Sequence, residues 1–127
     1  MEDLPPLSKR ESQIMDILYA RGAATATEVM AAMPDRPSRA AVRTFLRILE
    51  DKGHLTHRRQ GRHFVFKPTR ARRQVGQSSL RRVLNVFFGG SLEQAVSAYL
   101  AEENGEFKPD ELEKMAALIR KARKEGR

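Results

Sequence analysis

Between residues 7 and 53, apolar side chains recur every three or four positions in three runs, each opened by a hydroxyl residue and closed by a glycine or a proline. The first sets Leu7, Ile14, Ile17, Leu18 and Arg21 along one stripe behind a capping box of Ser8 and Glu11, and Gly22 stops it. The second repeats the box with Thr25 and Glu28, carries Val29, Met30 and Met33, and is halted by Pro34. Beyond the turn-prone Pro34-Asp35-Arg36-Pro37, Ser38 caps a third run in which Val42, Phe45, Leu46 and Leu49 share one face before Gly53. Three helices are expected here.

The period then shortens to two. Leu55-Thr56-His57-Arg58-Arg59 and His63-Phe64-Val65-Phe66-Lys67 flank Gln60-Gly61-Arg62, and Pro68 closes the pair, which predicts a β-hairpin. Alternation separates Phe64 and Phe66 from Leu55 and Val65. It leaves the register, and with it the choice between hairpin core and exposed ribbon, open. Three short helices followed by a basic-tipped hairpin, within about 60 residues, is the element order of a winged helix-turn-helix domain, expected over residues 7–68. Residues 69–79 contain Arg70, Arg72 and Arg73 without a strong apolar stripe and are expected to form a basic linker merging into a fourth helix.

Helical spacing returns beyond the linker. Leu80, Val83, Leu84, Phe87 and Phe88 form a stripe broken by Gly89-Gly90. Ser91 with Gln94 offers a further capping box, followed by Leu92, Ala95, Val96, Tyr99 and Leu100, with Asn104-Gly105 as the expected end. Pro109-Asp110-Glu111 opens a last helix carrying Leu112, Met115, Ala116 and Ile119. The expected fold class is mainly α with a small β-hairpin wing: an N-terminal winged helix-turn-helix and a C-terminal helical dimerisation domain over residues 80–124. Three amphipathic helices in so short a segment have little mutual surface with which to close a monomeric core. A two-fold homodimer would cover Leu80, Leu84, Phe87, Phe88, Leu92, Val96, Tyr99, Leu100, Leu112, Met115 and Ile119. A small independent bundle, or packing against the N-terminal domain, would cover them without a second copy.

Composition narrows the function. A chain of 127 residues has room for one modest domain, or a small domain with an appendage. The absence of cysteine excludes disulfides, thiolate zinc sites and a cysteine nucleophile. No apolar run approaches the roughly 20 residues needed to cross a bilayer. Met1-Glu2-Asp3-Leu4-Pro5-Pro6 carries acids where a secretory signal needs basic residues and an apolar stretch, so a cytoplasmic protein without a membrane partner is expected. The charge says more. With 24 Lys and Arg against 16 Asp and Glu, the net charge is +8, the balance of a protein that meets polyanions. Residues 68–90 contain 5 basic side chains and no acid, whereas residues 91–127 hold 7 basic and 8 acidic ones. The surplus therefore belongs to the first 90 residues.

On the third helix, the face opposite the apolar stripe carries Ala40, Thr44 and Arg47, flanked by Arg39 and Arg43. A helix in the major groove needs this combination: Arg for guanine N7 and O6 or for phosphates, Thr for a hydroxyl contact or a thymine methyl, Ala for close approach. A solvated polar face is the alternative, but such a face mixes signs, and here no acid appears before Glu50 and Asp51. At the hairpin, Arg58, Arg59 and Arg62 surround Gly61 on a thin projection suited to the DNA backbone or minor groove. The alternative is an edge hairpin kept soluble by its charge. His54, His57 and His63 match no closed zinc-site spacing, and residues 53–69 contain no carboxylate, so they are read as polar hairpin residues and no metal is expected. No phosphate-binding glycine loop, Ser/His/Asp motif or buried carboxylate pair is present, so neither an enzyme nor a cofactor is expected.

These residues carry a resemblance. Leu7-Ser8-Lys9-Arg10-Glu11 with Ile14-Met15 and Ile17-Leu18, Thr25-Ala26-Thr27-Glu28-Val29, and Ser38 to Leu49 around Val42-Arg43-Thr44 resemble the BlaI/MecI/CopY family of penicillinase-type repressors. So do Leu49-Glu50-Asp51-Lys52-Gly53-His54-Leu55, Gly61-Arg62 with Phe64-Val65-Phe66-Lys67-Pro68, and Phe87-Phe88-Gly89-Gly90-Ser91-Leu92. The resemblance implies a cytoplasmic homodimer that represses transcription from a two-fold double-stranded operator, typically with TACA and TGTA half-sites, through C-terminal dimerisation helices. The family's recognition pair of Arg and Thr maps onto Arg43 and Thr44, whereas the Lys and Thr often found before it are Ala40 and Ala41 here. Penicillinase repressors are inactivated by a regulatory protease at an Asn-Phe bond. The equivalent stretch here is Ser97-Ala98-Tyr99-Leu100, so that cleavage specificity is not carried over, and whether a regulatory protease is a partner, and what relieves repression, stay open at this point. The copper-responsive cysteine motif is likewise absent.

Two other classes compete with a dimeric repressor. One is a protein-interaction module that uses the winged helix only as a scaffold. The other is an architectural DNA binder whose affinity is nearly all counterion release and whose site preference is close to nil.

Overall fold

Helix α1 (Lys9–Arg21) begins where Ser8 and Glu11 satisfy each other's backbone, the Ser8 Oγ accepting from the Glu11 N–H at 3.2 Å and Glu11 Oε1 from the Ser8 N–H at 3.0 Å. It ends at Gly22, whose φ of 88° lies in a region open to glycine without strain. In the computed structural model, which describes residues 4–102 and 107–126, the remaining elements follow as β1 (Ala24–Thr25), α2 (Ala26–Ala32), α3 (Arg39–Asp51), β2 (Leu55–Gln60), β3 (His63–Pro68), α4 (Arg72–Phe87), α5 (Leu92–Leu100) and α6 (Pro109–Lys124). Thr25 and Glu28 form the second capping box, and Ser38 accepts from the Ala41 N–H to start α3. The Thr25 N–H holds the Glu28 carboxyl below its ordinary range. Each cap supplies an acceptor to a backbone N–H that would otherwise have none.

Two compact units make up the chain, one reaching to Ser78 and the other starting at Ser79, with the division inside α4. The first is a winged helix. Its core is Ile14, Met15, Leu18, Ala24, Val29, Met33, Val42, Leu46, Leu49 and Leu55, all fully buried or nearly so, with Phe45 and Phe66 packed against them. Burying each large side chain contributes about 1.5–3 kcal/mol. Met15 joins this core from outside the expected stripe, while Arg21 stays exposed.

The wing is one strand richer than a hairpin. β3 pairs antiparallel with β2 and also with β1, giving the order β1-β3-β2. His57 faces Phe66 and Arg59 faces Phe64 across the ladder, so Leu55, His57, Phe64 and Phe66 share one face while Val65 lies opposite Arg58 on the other. This corrects the expectation that alternation separates Leu55 from the two phenylalanines. The strands run to Gln60 and from His63, leaving Gly61 (φ 62°) and Arg62 as a two-residue turn.

His54 also departs from its expected place. It precedes β2 and is buried at 7% exposure, and its Nε2 donates to the Pro5 carbonyl at 2.8 Å. Beside it, Lys52 Nζ donates to the Pro6 carbonyl at 3.2 Å and to Glu11 Oε1 at 2.7 Å. The residues before α1 are thus strapped across the end of α3. Lys52 and the Ser8 N–H hold the buried Glu11 carboxyl below the usual carboxylate range.

The expected linker at 69–79 is mostly helix: α4 begins at Arg72, and only residues 69–71 precede it. In the second unit, Ser91 accepts from the Gln94 N–H to start α5, which ends at Leu100 with Ala101 as its cap. The expected stop at Asn104-Gly105 lies outside the described residues. Pro109 opens α6, whose Asp110 and Glu111 stand in the first turn and Lys121, Arg123 and Lys124 in the last, matching the helix dipole. None of the described residues of α4, α5 and α6 is buried.

Candidate nucleic-acid interface

The amphipathic register of α3 puts Val42, Leu46 and Leu49 into the core and so turns Arg43, Thr44 and Arg47 outward. These three line one side of an open groove of about 410 Å³. The wing forms another side with Arg62, His63, Phe64 and Phe66, and Thr25, Ala26 and Thr27 at the start of α2 form a third. The groove therefore brings together residues from the helix and the wing that are about 20 positions apart in sequence.

The other candidate residues stand around it. Arg39 Nη2 donates to Thr27 Oγ1 at 3.0 Å, tying the start of α3 to α2, and Ala40 is exposed beside it. The Thr44 hydroxyl donates back to the Ala40 carbonyl at 3.0 Å, which fixes its rotamer and leaves its oxygen free to accept. Arg58 and Arg59 are exposed on β2, and Arg59 Nε donates to the Gly61 carbonyl at 3.2 Å, bracing the turn that carries Arg62.

The groove also contains residues that the sequence reading did not assign to it. Glu50 and Asp51 lie one turn beyond Arg47 on the same face, as their helical spacing could have shown. His57 enters from β2, with its Nδ1 2.5 Å from Glu50 Oε1 and its ring 4.9 Å from that of Phe64 and 5.5 Å from that of Phe66. Finding it needed the strand register. Among the described residues there is no group of three metal-ligating side chains.

In the second unit, Leu80, Phe87, Leu92, Tyr99, Leu100, Leu112 and Ile119 are exposed, and Leu84, Phe88, Val96 and Met115 are half-buried. Val83, Val86 and Leu118 are exposed as well, which widens the expected apolar surface. Tyr99 meets Phe107 edge to face at 5.5 Å. No helix among the described residues is long and apolar enough to cross a membrane.

Comparison with known proteins bears on this arrangement. A ZitR point mutant from Lactococcus lactis shares the fold at a TM-score of 0.51 and 18% identity, over all of this chain and 80% of that one. The solution structure of the DNA-binding domain of the repressor BlaI aligns at 28% identity and a TM-score of 0.49, over 55% of this chain and 88% of that one. The penicillinase repressor of Bacillus licheniformis is 25% identical over 121 residues, which span 94% of this chain and 93% of that protein. The family model described as penicillinase repressor matches residues 7–121. With almost the whole chain inside that match, and the winged helix and its basic face in place, the chain belongs to the penicillinase repressor family.

Proposed function

We propose that this member of a repressor family binds double-stranded DNA as a homodimer at a two-fold operator and blocks transcription there, without catalysis, metal or cofactor. The observation that carries the reading is the groove in which Arg43, Thr44 and Arg47 of α3 converge with Arg62 of the wing. Helix α3 is the recognition helix. Arg43 and Arg47 reach guanine edges or phosphates, Thr44 offers an acceptor and a methyl, and Ala40 permits close approach. Arg58, Arg59 and Arg62 on the wing meet the backbone of the adjacent groove, and Arg39 acts both as a brace on Thr27 and as a flanking cation.

The exposed apolar side chains of α4, α5 and α6 support the second half of the proposal. A surface bearing Leu80, Phe87, Leu92, Tyr99 and Ile119 in contact with water exceeds the scattered apolar residues of an ordinary monomer. A two-fold related copy covers it with the same residues. Two recognition helices so joined read half-sites about 10 bp apart or slightly more. A cytoplasmic setting, where such an operator is found, goes with this reading.

Selection of duplexes from a random pool by the full-length protein at about 150 mM salt, where non-specific binding is weak, tests it. The expected result is an enriched inverted repeat. Binding without enrichment would replace the repressor with an architectural protein, and no binding at all would favour an interaction module.

A further inference from the structure

The groove holds a carboxylate whose position is costly twice over. Glu50 stands in the last turn of α3, at the negative end of the helix dipole, and no basic residue occupies that turn to offset it. It also lies on the face that carries Arg43 and Arg47, within a groove that the proposed function turns toward phosphates. A bare carboxylate there would repel any phosphate bound within about 8 Å of it, the Debye length at physiological salt.

The wing supplies the counterpart. His57 faces α3 because the register sets it on the same side of the sheet as Leu55 and Phe66. Its ring is held between Phe64 and Phe66, and its Nδ1 reaches Glu50 Oε1 at 2.5 Å. The other charged or titratable groups of the groove are Arg43, Arg47 and Asp51 from α3 and Arg62 and His63 from the wing. Among the described residues that line the groove, it is His57 that bonds Glu50.

We propose that His57 is a positioning residue of the DNA interface, holding the Glu50 carboxylate so that its charge does not oppose the backbone that Arg43, Arg47 and Arg62 engage. The inference rests on the DNA-binding reading of this groove. The pair also joins the wing to the recognition helix, but the proposed effect on affinity is one of charge, and that is what separates it from simple packing.

The test is a fluorescence-anisotropy titration of the full-length protein against a labelled duplex carrying the selected site, with the melting temperature of each variant followed by circular dichroism. His57→Ala is expected to weaken binding about fivefold, the scale of one hydrogen bond's net contribution. Glu50→Gln is expected to tighten it about twofold, since a repelling charge is removed. The double variant His57→Ala/Glu50→Gln should recover most of the loss, and His57→Gln, which keeps an N–H donor, should lose less than His57→Ala. A double variant as weak as His57→Ala, or a His57→Ala protein that binds like the wild type, would overturn the proposal. Should His57→Ala not fold, the Glu50→Gln and His57→Gln results decide it alone, weaker binding by Glu50→Gln being the overturning outcome. A wild-type protein without affinity for any duplex would overturn the DNA-binding reading and this inference with it.

Discussion

Helices α3 and α4 carry the same spacing of apolar residues. Val42, Phe45, Leu46 and Leu49 on α3 repeat in Leu80, Val83, Leu84 and Phe87 on α4, position for position. In α3 the stripe is packed, with Val42, Leu46 and Leu49 at zero exposure. In α4 no residue is buried, and Phe87 is 69% exposed. The contrast extends to the units they serve, since among the described residues every exposed large hydrophobic apart from Phe64 lies beyond Ser79. An amphipathic stripe thus states that a face needs covering without saying what covers it. In the N-terminal unit the covering elements are α1, α2 and the sheet, whereas in the C-terminal unit the described residues leave the stripe exposed, and the cover proposed for it is a second copy.

The largest expected effect tests the packed side of this contrast. Leu46→Ala removes a side chain fully enclosed by the core and should lower unfolding free energy by about 3 kcal/mol, read from urea denaturation. Phe87→Glu tests the unpacked side. It should leave the N-terminal unit folded while weakening self-association about 100-fold, about 2.7 kcal/mol, by sedimentation at a series of concentrations. Unchanged association would place the interface elsewhere. Arg47→Ala is expected to cost about tenfold in operator affinity, near 1.4 kcal/mol, with no change in melting temperature, because its side chain is outside both apolar surfaces.

The smallest effect concerns acid stability. Lys52 and Ser8 lower the folded-state pKa of Glu11, so the bond is stabilising above the unfolded carboxylate value of about 4.3 and its contribution fades as pH falls through the lower folded value. Glu11→Gln should therefore be less stable than the wild type near neutral pH, and the two urea midpoints should converge as the solution is acidified. Parallel curves would remove Glu11 from the acid response.

Much of the architecture was legible beforehand, for identifiable reasons. Ser8, Thr25, Ser38 and Ser91 all start helices, since a cap acts on a backbone N–H only three residues away. The basic face of α3 was legible because helical geometry alone sets Arg43, Thr44 and Arg47 opposite the buried stripe. Strand β1 was not, because two residues, Ala24 and Thr25, carry no period and pair only once β3 lies beside them. The start of α4 at Arg72 was hidden for a related reason: Arg72 and Arg73 lack an apolar stripe, and clustered arginines at a helix start oppose its dipole. His54 looked like one more hairpin histidine, and its burial depends on Pro5, 49 positions away.

By itself, the sequence determined the helices, the hairpin and the sign of the recognition face, because caps, turn residues and periodicity act within a few positions along the chain. Only the tertiary structure decided which stripe is buried, which side of the wing faces α3, and that Glu50 meets His57. Those outcomes depend on which surfaces come together and in what register, and a one-residue slip in the pairing of β2 with β3 would turn His57 away from Glu50 without changing a single local preference.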